Sequence, residues 1–235
     1  MGQNSDLPAL DGRLALIARL VRPGSVVADI GSDHGYLVAW LVGTNTCPRG
    51  YACDINRQPL EHSRATAERC GVAGRVTALL GGGLSRLREA DVDDIVIAGM
   101  GGDLIAQILG DADWQGPDKR YLLQPMTRAD ELRRWLCANG YRIEAEHAAC
   151  ARRFCYAVLT VRRTGEATPC DDCYAAVGRM PECDCEDARI YIRHQAGVIL
   201  KKASGLECSR GRAAEAVRCR ALAARILATI GEETT

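Results

Sequence analysis

Neither sign of charge dominates this chain: thirty Lys and Arg stand against thirty Asp and Glu in 235 residues, a formal net charge of zero. That excludes the global positive field of a chain built to coat nucleic acid, leaving only local basic faces to meet phosphate. No run approaches the roughly 20 apolar residues of a membrane span. The opening MGQNSDLPAL has neither the basic start nor the apolar segment of a secretory leader, and Asp6 stands where myristoylation needs Ser or Thr. The expectation is a soluble, cytoplasmic protein with no membrane partner and no obligate protein partner. Missing too is the G-x-G-x-x-G of a dinucleotide site, which argues against a dehydrogenase.

What is plentiful is cysteine. Twelve are scattered through apparent helices and strands, unlike the short, loop-rich frame of a secreted disulfide scaffold. A reducing compartment is expected, with thiols such as Cys53, Cys70 and Cys137 acting as small buried hydrophobes. In CDDCYAAVGRMPECDC, Cys170 and Cys173 have zinc-ligand spacing, but Cys183 and Cys185 are one residue apart where knuckles use two or more. Free thiols in a linker are the expectation, and no metal.

At 47% hydrophobic the chain can bury one substantial core with a small appendage. Apolar runs alternate with helical patterns as in a parallel α/β sheet. Strands are predicted at 25–30, 50–55, 75–80, 94–99 and 121–125, and helices at 57–70, 101–109 and 128–139, with Gly71 and Gly140 as stops. Runs 141–148 and 153–162 follow without a helix between them, which implies an antiparallel edge hairpin. Residues 1–163 are thus expected to form the main domain. Residues 164–235 divide into a polar, Cys-containing linker and two helical seams: Ile192, Ala196, Ile199, Ala203, Leu206, then Ala216, Cys219, Ala223, Ile226, Ile230. A helical hairpin fits them, the alternative being two helices laid flat on the sheet. Removing everything after about residue 165 is then expected to leave the sheet's core largely intact.

The stretch VADIGSDHGYL, 27–37, runs from strand to helix at the carboxyl edge of the sheet, where doubly wound folds bind ligands. Gly31 and Gly35 allow close backbone approach. Asp29 and Asp33 favour a cationic or hydroxyl-bearing ligand over a pyrophosphate, and Asp54, ending the second strand, is placed to accept ribose hydroxyls. A sulfonium ligand with a free α-amino group, S-adenosylmethionine, suits these acids; singly, each also suits a cap or turn. IAGMGG, 97–102, and LQPM, 123–126, end the next two strands with bare backbone and an amide.

VADIGSDHGYL, IAGMGG and LQP, in this order and followed by a helical extension, resemble the TrmK family of bacterial tRNA (adenine-22-N1)-methyltransferases. The resemblance spans about residues 10–163 and is looser beyond. It implies a Rossmann-like class I methyltransferase fold, S-adenosylmethionine as donor, and a coiled-coil-like extension that engages tRNA. Carried onto this chain, it implies a cofactor set of Asp29, Gly31, Ser32, Asp33, His34, Gly35, Asp54, Ile55, Gly82, Gly83, Ala98, Gly99 and Met100. Tyr36, Leu37 and Gly102 also match the motifs. Gly101, Gln124, Pro125 and Met126 are implied on the substrate side. Asp33 is the candidate catalytic residue, acting on the target base or, equally, on the methionine amine. His34 reads as a positioned hydrogen-bonder.

Two departures stand out. Family members often have GDGL where this chain has GGGL at 81–84, so Gly82 replaces an acid that would meet the cofactor's adenine amine; many have Asn where this chain has Met126. These departures make an inactive scaffold that only binds RNA or a partner the rival reading. Arg128, Arg133, Arg134, Arg152, Arg153, Arg162, Arg163, Lys201, Lys202, Arg210, Arg212, Arg218, Arg220 and Arg225 are the candidate phosphate contacts. Helix by helix a solvated face is the better reading, and only the resemblance lifts RNA binding above it.

Overall fold

The computed structural model describes residues 6–114, 116–151, 154–208 and 211–233. The strands are β1 (Val27–Ile30), β2 (Gly50–Asp54), β3 (Val76–Leu80), β4 (Asp94–Gly101), β5 (Arg120–Thr127), β6 (Tyr141–Ala151) and β7 (Phe154–Arg163). They form one seven-stranded sheet in the order β3-β2-β1-β4-β5-β7-β6. The first five are parallel, and β7 and β6 add the antiparallel edge. Strand order reverses between β1 and β4, which opens the crevice that such sheets offer to ligands.

Alternate strand residues feed opposite layers, because successive side chains of a strand point to opposite faces. Val27, Ala52, Val96, Leu122 and Val158 pack under α1 (Gly12–Leu20), α2 (Tyr36–Gly43) and α3 (Arg57–Arg69). Ile30, Ile95, Ile97, Leu123 and Leu159 pack under α4 (Gly102–Gly110) and α5 (Ala129–Ala138). Side chains buried as fully as Ile95 and Ile97 each contribute about 1.5–3 kcal/mol.

The carboxyl-terminal region departs from expectation in a way that matters. Part of the stretch expected to be a polar linker folds as α6 (Asp172–Val177), and Ala176, Val177 and Met180 are buried in the main core. The hairpin of α7 (Glu186–Glu207) and α8 (Ala213–Ala228) forms as its seams predict. Its two halves differ, however. Ala188, Tyr191, Ile192, Ala196, Ala223 and Ile226 join the main core, whereas Ala203, Leu206 and Ala216 are buried outside both clusters of the sheet, where α7 packs on α8. Each of the two alternatives read from the seams thus describes one half.

Arg133 explains the attachment and corrects its placing among the phosphate contacts. It is fully buried, with Nε and Nη2 donating to the Glu146 carboxylate (3.0 and 2.8 Å). Nη1 donates to the Ala175 carbonyl (2.8 Å) and Nη2 to the Tyr191 hydroxyl (3.1 Å). One guanidinium therefore joins α5, β6, α6 and α7. Cutting the chain after residue 165 would leave a buried charge pair stripped of half its partners, so the expectation that the core survives that cut is withdrawn. Cys150 and Cys155, opposite each other on β6 and β7, form a disulfide, an exception to the reduced thiols expected throughout. No helix among the described residues is long and apolar enough to cross a membrane.

Candidate active site at the carboxyl edge of the sheet

The turn after β1 is tied to the end of β2: the Gly31 and Ser32 amides both donate to the Cys53 carbonyl (2.8 and 3.0 Å). Gly35 has φ +66°, and a Cβ there would lie 2.9 Å from Ser63 Cβ and 3.0 Å from its Cα. Only glycine lets the turn lie so close to α3. The Ser63 hydroxyl closes the join by donating to the Ser32 carbonyl (2.9 Å).

Above the turn is a cavity of about 540 Å³. It gathers Gly31, Asp54, Ile55, Gly82, Gly83, Ala98, Gly99 and Met100, eight of the thirteen cofactor residues expected from sequence. Asp29 and Ser32 are buried in the strand and turn beneath it. Burial pushes the Asp29 carboxyl up to about 6, while the Ser32 hydroxyl and the Arg13 guanidinium pull the other way. The Ser32 hydroxyl makes no hydrogen bond of good geometry to the protein. Asp54 combines two roles, since Oδ1 accepts the Asn56 amide (2.8 Å) and shapes the turn while the residue still lines the cavity.

Asp33 and His34 fall outside this enclosure. Their side chains are 73% and 43% exposed, with His34 Nε2 3.3 Å from Asp33 Oδ2 at the rim.

The β4–β5 pair forms the opposite wall. Its register slips twice: Gly99, φ +79°, is the extra residue on β4, and Met126 is the compensating one on β5. The slip leaves the Gly99 amide to a side chain, Gln124 Oε1 (3.0 Å), which also accepts from Arg13 Nη1 (2.9 Å). The Gln124 Nε2 donates to the Pro125 carbonyl (3.0 Å). Gly101 precedes α4 beside Thr127.

Pro125 and Met126 open instead onto a second, larger groove of about 870 Å³ between the sheet edge and the hairpin. Phe154, Tyr156, His194, Lys202 and Arg218 line it with them. Several of the expected phosphate contacts are already paired: Arg128 with Asp103, Arg134 with Asp172, Arg162 with Glu144, Arg212 with Glu215, Arg220 with Glu207 and Arg225 with Asp171. Such exposed pairs are weak and exchange readily for phosphate. Arg152, Arg153 and Arg210 lie outside the described residues.

Sequence reasoning missed Arg13 and the α4 face of Leu104, Gln107, Ile108 and Asp111 that completes the cavity. A signal for Arg13 existed. It sits in the first turn of α1, capped by Asp11 (2.8 Å to the Leu14 amide), where a cation is disfavoured by the helix dipole and so needs another reason to be there.

Comparison with known proteins agrees with this geometry. A family model described as a methyltransferase domain matches residues 10–159. A tRNA (adenine(22)-N(1))-methyltransferase from Bacillus subtilis is 35% identical over 155 residues, 64% of this chain and 63% of that enzyme. The chain thus matches just under two thirds of that relative's length. A putative tRNA methyltransferase of Mycoplasma pneumoniae is 36% identical over 66% of this chain and 73% of its own. A Streptococcus pneumoniae protein solved with S-adenosyl-L-methionine, a putative tRNA (m1A22) methyltransferase, superposes with a TM-score of 0.78 at 28% identity, covering 93% of this chain and all of that one. A methyltransferase-domain match across most of the sheet, together with relatives alike in sequence and fold, leads to one conclusion: the chain belongs to the TrmK family of methyltransferases.

Proposed function

We propose that the protein is an S-adenosylmethionine-dependent tRNA methyltransferase acting on N1 of adenine, at position 22 of the tRNA. The observation that carries this reading is the glycine-walled cavity bounded by Asp54 and underlain by the buried Asp29. A buried carboxylate at Asp29 and a half-buried one at Asp54 suit a ligand bearing an ammonium group and a ribose diol.

When bound, S-adenosylmethionine supplies an electrophilic methyl group on a sulfonium. Asp29 would hold the methionine ammonium, and Arg13, the cation acting on Asp29, would hold the methionine carboxylate. Asp54 would accept from the ribose, and Ile55, Gly82, Leu84 and Ile108, which line the same cavity, would flank the adenine. Gly82 leaves that end open, with no atom but an Ile55 methyl within 4 Å of where its Cβ would stand, and Asp111 and Gln107 supply polar groups to the same cavity. Loss of the usual acid therefore removes one contact without closing the site, which favours an active enzyme over an inert scaffold.

Adenine N1 already carries a lone pair, so the residues need only orient it and exclude water, and no general base is required for attack. Exposed Asp33 stands at the rim, two residues past Gly31, and faces the incoming base, whose methylated product is cationic. Buried Gln124, its amide oxygen fixed by two donors, holds the strand end from within, while the groove lined by Pro125 and Met126 receives the RNA, with Lys202 and Arg218 toward its phosphates. If adenine 22 is stacked in the tRNA, unstacking it costs a few kcal/mol.

The test is transfer of labelled methyl from S-adenosylmethionine to tRNA, followed by nucleoside mapping. Label in 1-methyladenosine at position 22 is expected. Cofactor binding without transfer to any tRNA would favour the scaffold reading.

A further inference from the structure

We propose that Asp33, His34 and His62 form a binding site for a divalent transition-metal ion of the Zn²⁺ class, and that an ion held there blocks methyl transfer by occupying Asp33. The blocking half rests on the function proposed above; the binding half stands without it.

Among the described residues these three make the only group of its kind, with a ligand atom from each lying within 4.8 Å of the others. His34 Nε2 and Asp33 Oδ2 are already 3.3 Å apart, about the separation of two donors on one tetrahedral ion with bonds near 2.0–2.2 Å. The rings of His34 and His62 have centroids 5.1 Å apart, so a small side-chain rotation brings the third donor in. Two imidazoles and one carboxylate suit Zn²⁺, Ni²⁺ or Cu²⁺, whereas Mg²⁺ and Ca²⁺ require oxygen-rich shells.

The frame beneath the triad is rigid. Asp33 and His34 sit on the turn closed by Gly35 against Ser63, and His62 is the residue before Ser63 on α3. The Ser63 hydroxyl shares its one proton between the Ser32 carbonyl (2.9 Å), which joins the two ligand-bearing segments, and the Pro59 carbonyl of its own helix (3.0 Å). Little ordering is left for the metal to impose. The four thiols between 170 and 185 do not compete as a ready cluster, since Cys183 donates to the Glu146 carbonyl (2.9 Å) while Cys185 is exposed.

The experiment titrates the full-length protein, its Cys150–Cys155 disulfide intact, with Zn²⁺ by calorimetry and with Co²⁺ by visible absorption. The native chain, His62→Ala and the double variant Cys185→Ser/Cys208→Ser are compared, each checked for fold by circular dichroism. Native protein and the thiol variant should bind one ion with d–d bands lacking thiolate charge transfer, and His62→Ala should bind at least about tenfold more weakly. Equal affinity in native and His62→Ala overturns the site. Zn²⁺ should also inhibit methyl transfer by native protein at concentrations that leave His62→Ala active, with basal rates alike. Equal inhibition of both overturns the blocking role. Absence of transfer in metal-free native protein would instead count against the proposed function, and the titration would still decide the binding.

Discussion

The two ends of the β4–β5 pair's neighbourhood solve opposite problems. On the cofactor side the chain keeps space empty: Gly31, Gly82, Gly83 and Gly99 present backbone where side chains would fill the cavity. On the hairpin side it fills space with charge, burying Arg133 and Glu146 completely and using backbone carbonyls and a tyrosine to satisfy them. Acids on the first side await a partner from solution, whereas the charge on the second is already spent inside the fold. Mutations should therefore damage ligand binding on one side and stability on the other.

The largest effect should come from Arg133→Ala. Leaving the Glu146 carboxylate buried and unpaired is expected to cost about 3–5 kcal/mol in urea unfolding. A loss below about 1 kcal/mol would mean that the junction does not hold the hairpin to the sheet. Next comes Asp54→Ala, which should leave unfolding nearly unchanged and weaken S-adenosylmethionine binding by about 1.5–3 kcal/mol, roughly ten- to hundredfold. Calorimetry that finds full affinity in the folded variant removes Asp54 from the site.

Asp29 sharpens the contrast further, because its carboxyl is pushed up to about 6 by burial. A raised carboxyl favours the empty folded state below its unfolded value of 3.8, and that contribution is lost as pH climbs through about 6. A cationic ligand wants the ionised form, so cofactor affinity should rise through the same window, by up to about tenfold per pH unit below it. Asp29→Asn should bind weakly with a flatter profile between pH 5 and 7. An unaltered profile would place the ammonium elsewhere. The smallest effect should be a gain: Gly82→Asp has room to enter, and a few-fold tighter binding is expected. Weaker binding would indicate that Asp111 already occupies that role.

The sheet and its ligand edge were legible because their signals are local. Alternating runs marked the strands, and acids and glycines at successive strand ends marked the crevice. The larger errors fell where tertiary partners decide. Arg133 reads like any helix-surface arginine until Glu146, on a neighbouring strand, and the carbonyls of α6 enclose it. The residues after 163 looked like a linker because their composition is polar, while the few apolar ones, Val177 and Met180 among them, are those that dock. Arg13 lies 111 residues from the amide it bonds, and His62 on a helix whose sequence gives no hint that it faces a turn 28 positions earlier.

The slipped register at Gly99 constrains how this site can evolve. A strand amide there is completed by Gln124, so one fully buried side chain serves as a rung of the sheet right beside Pro125, which lines the groove. Retuning the pocket by substituting Gln124 would orphan a partly buried N–H, at about 1–3 kcal/mol, before any benefit to recognition could be felt. Specificity can drift at Met126, which protrudes from the neighbouring bulge with 45% of its surface exposed and whose sulfur accepts only a long contact from Gln124 Nε2 (3.5 Å). Variation among relatives should therefore collect one bulge away from the amide, and the pocket should change its preferences from its lip inward.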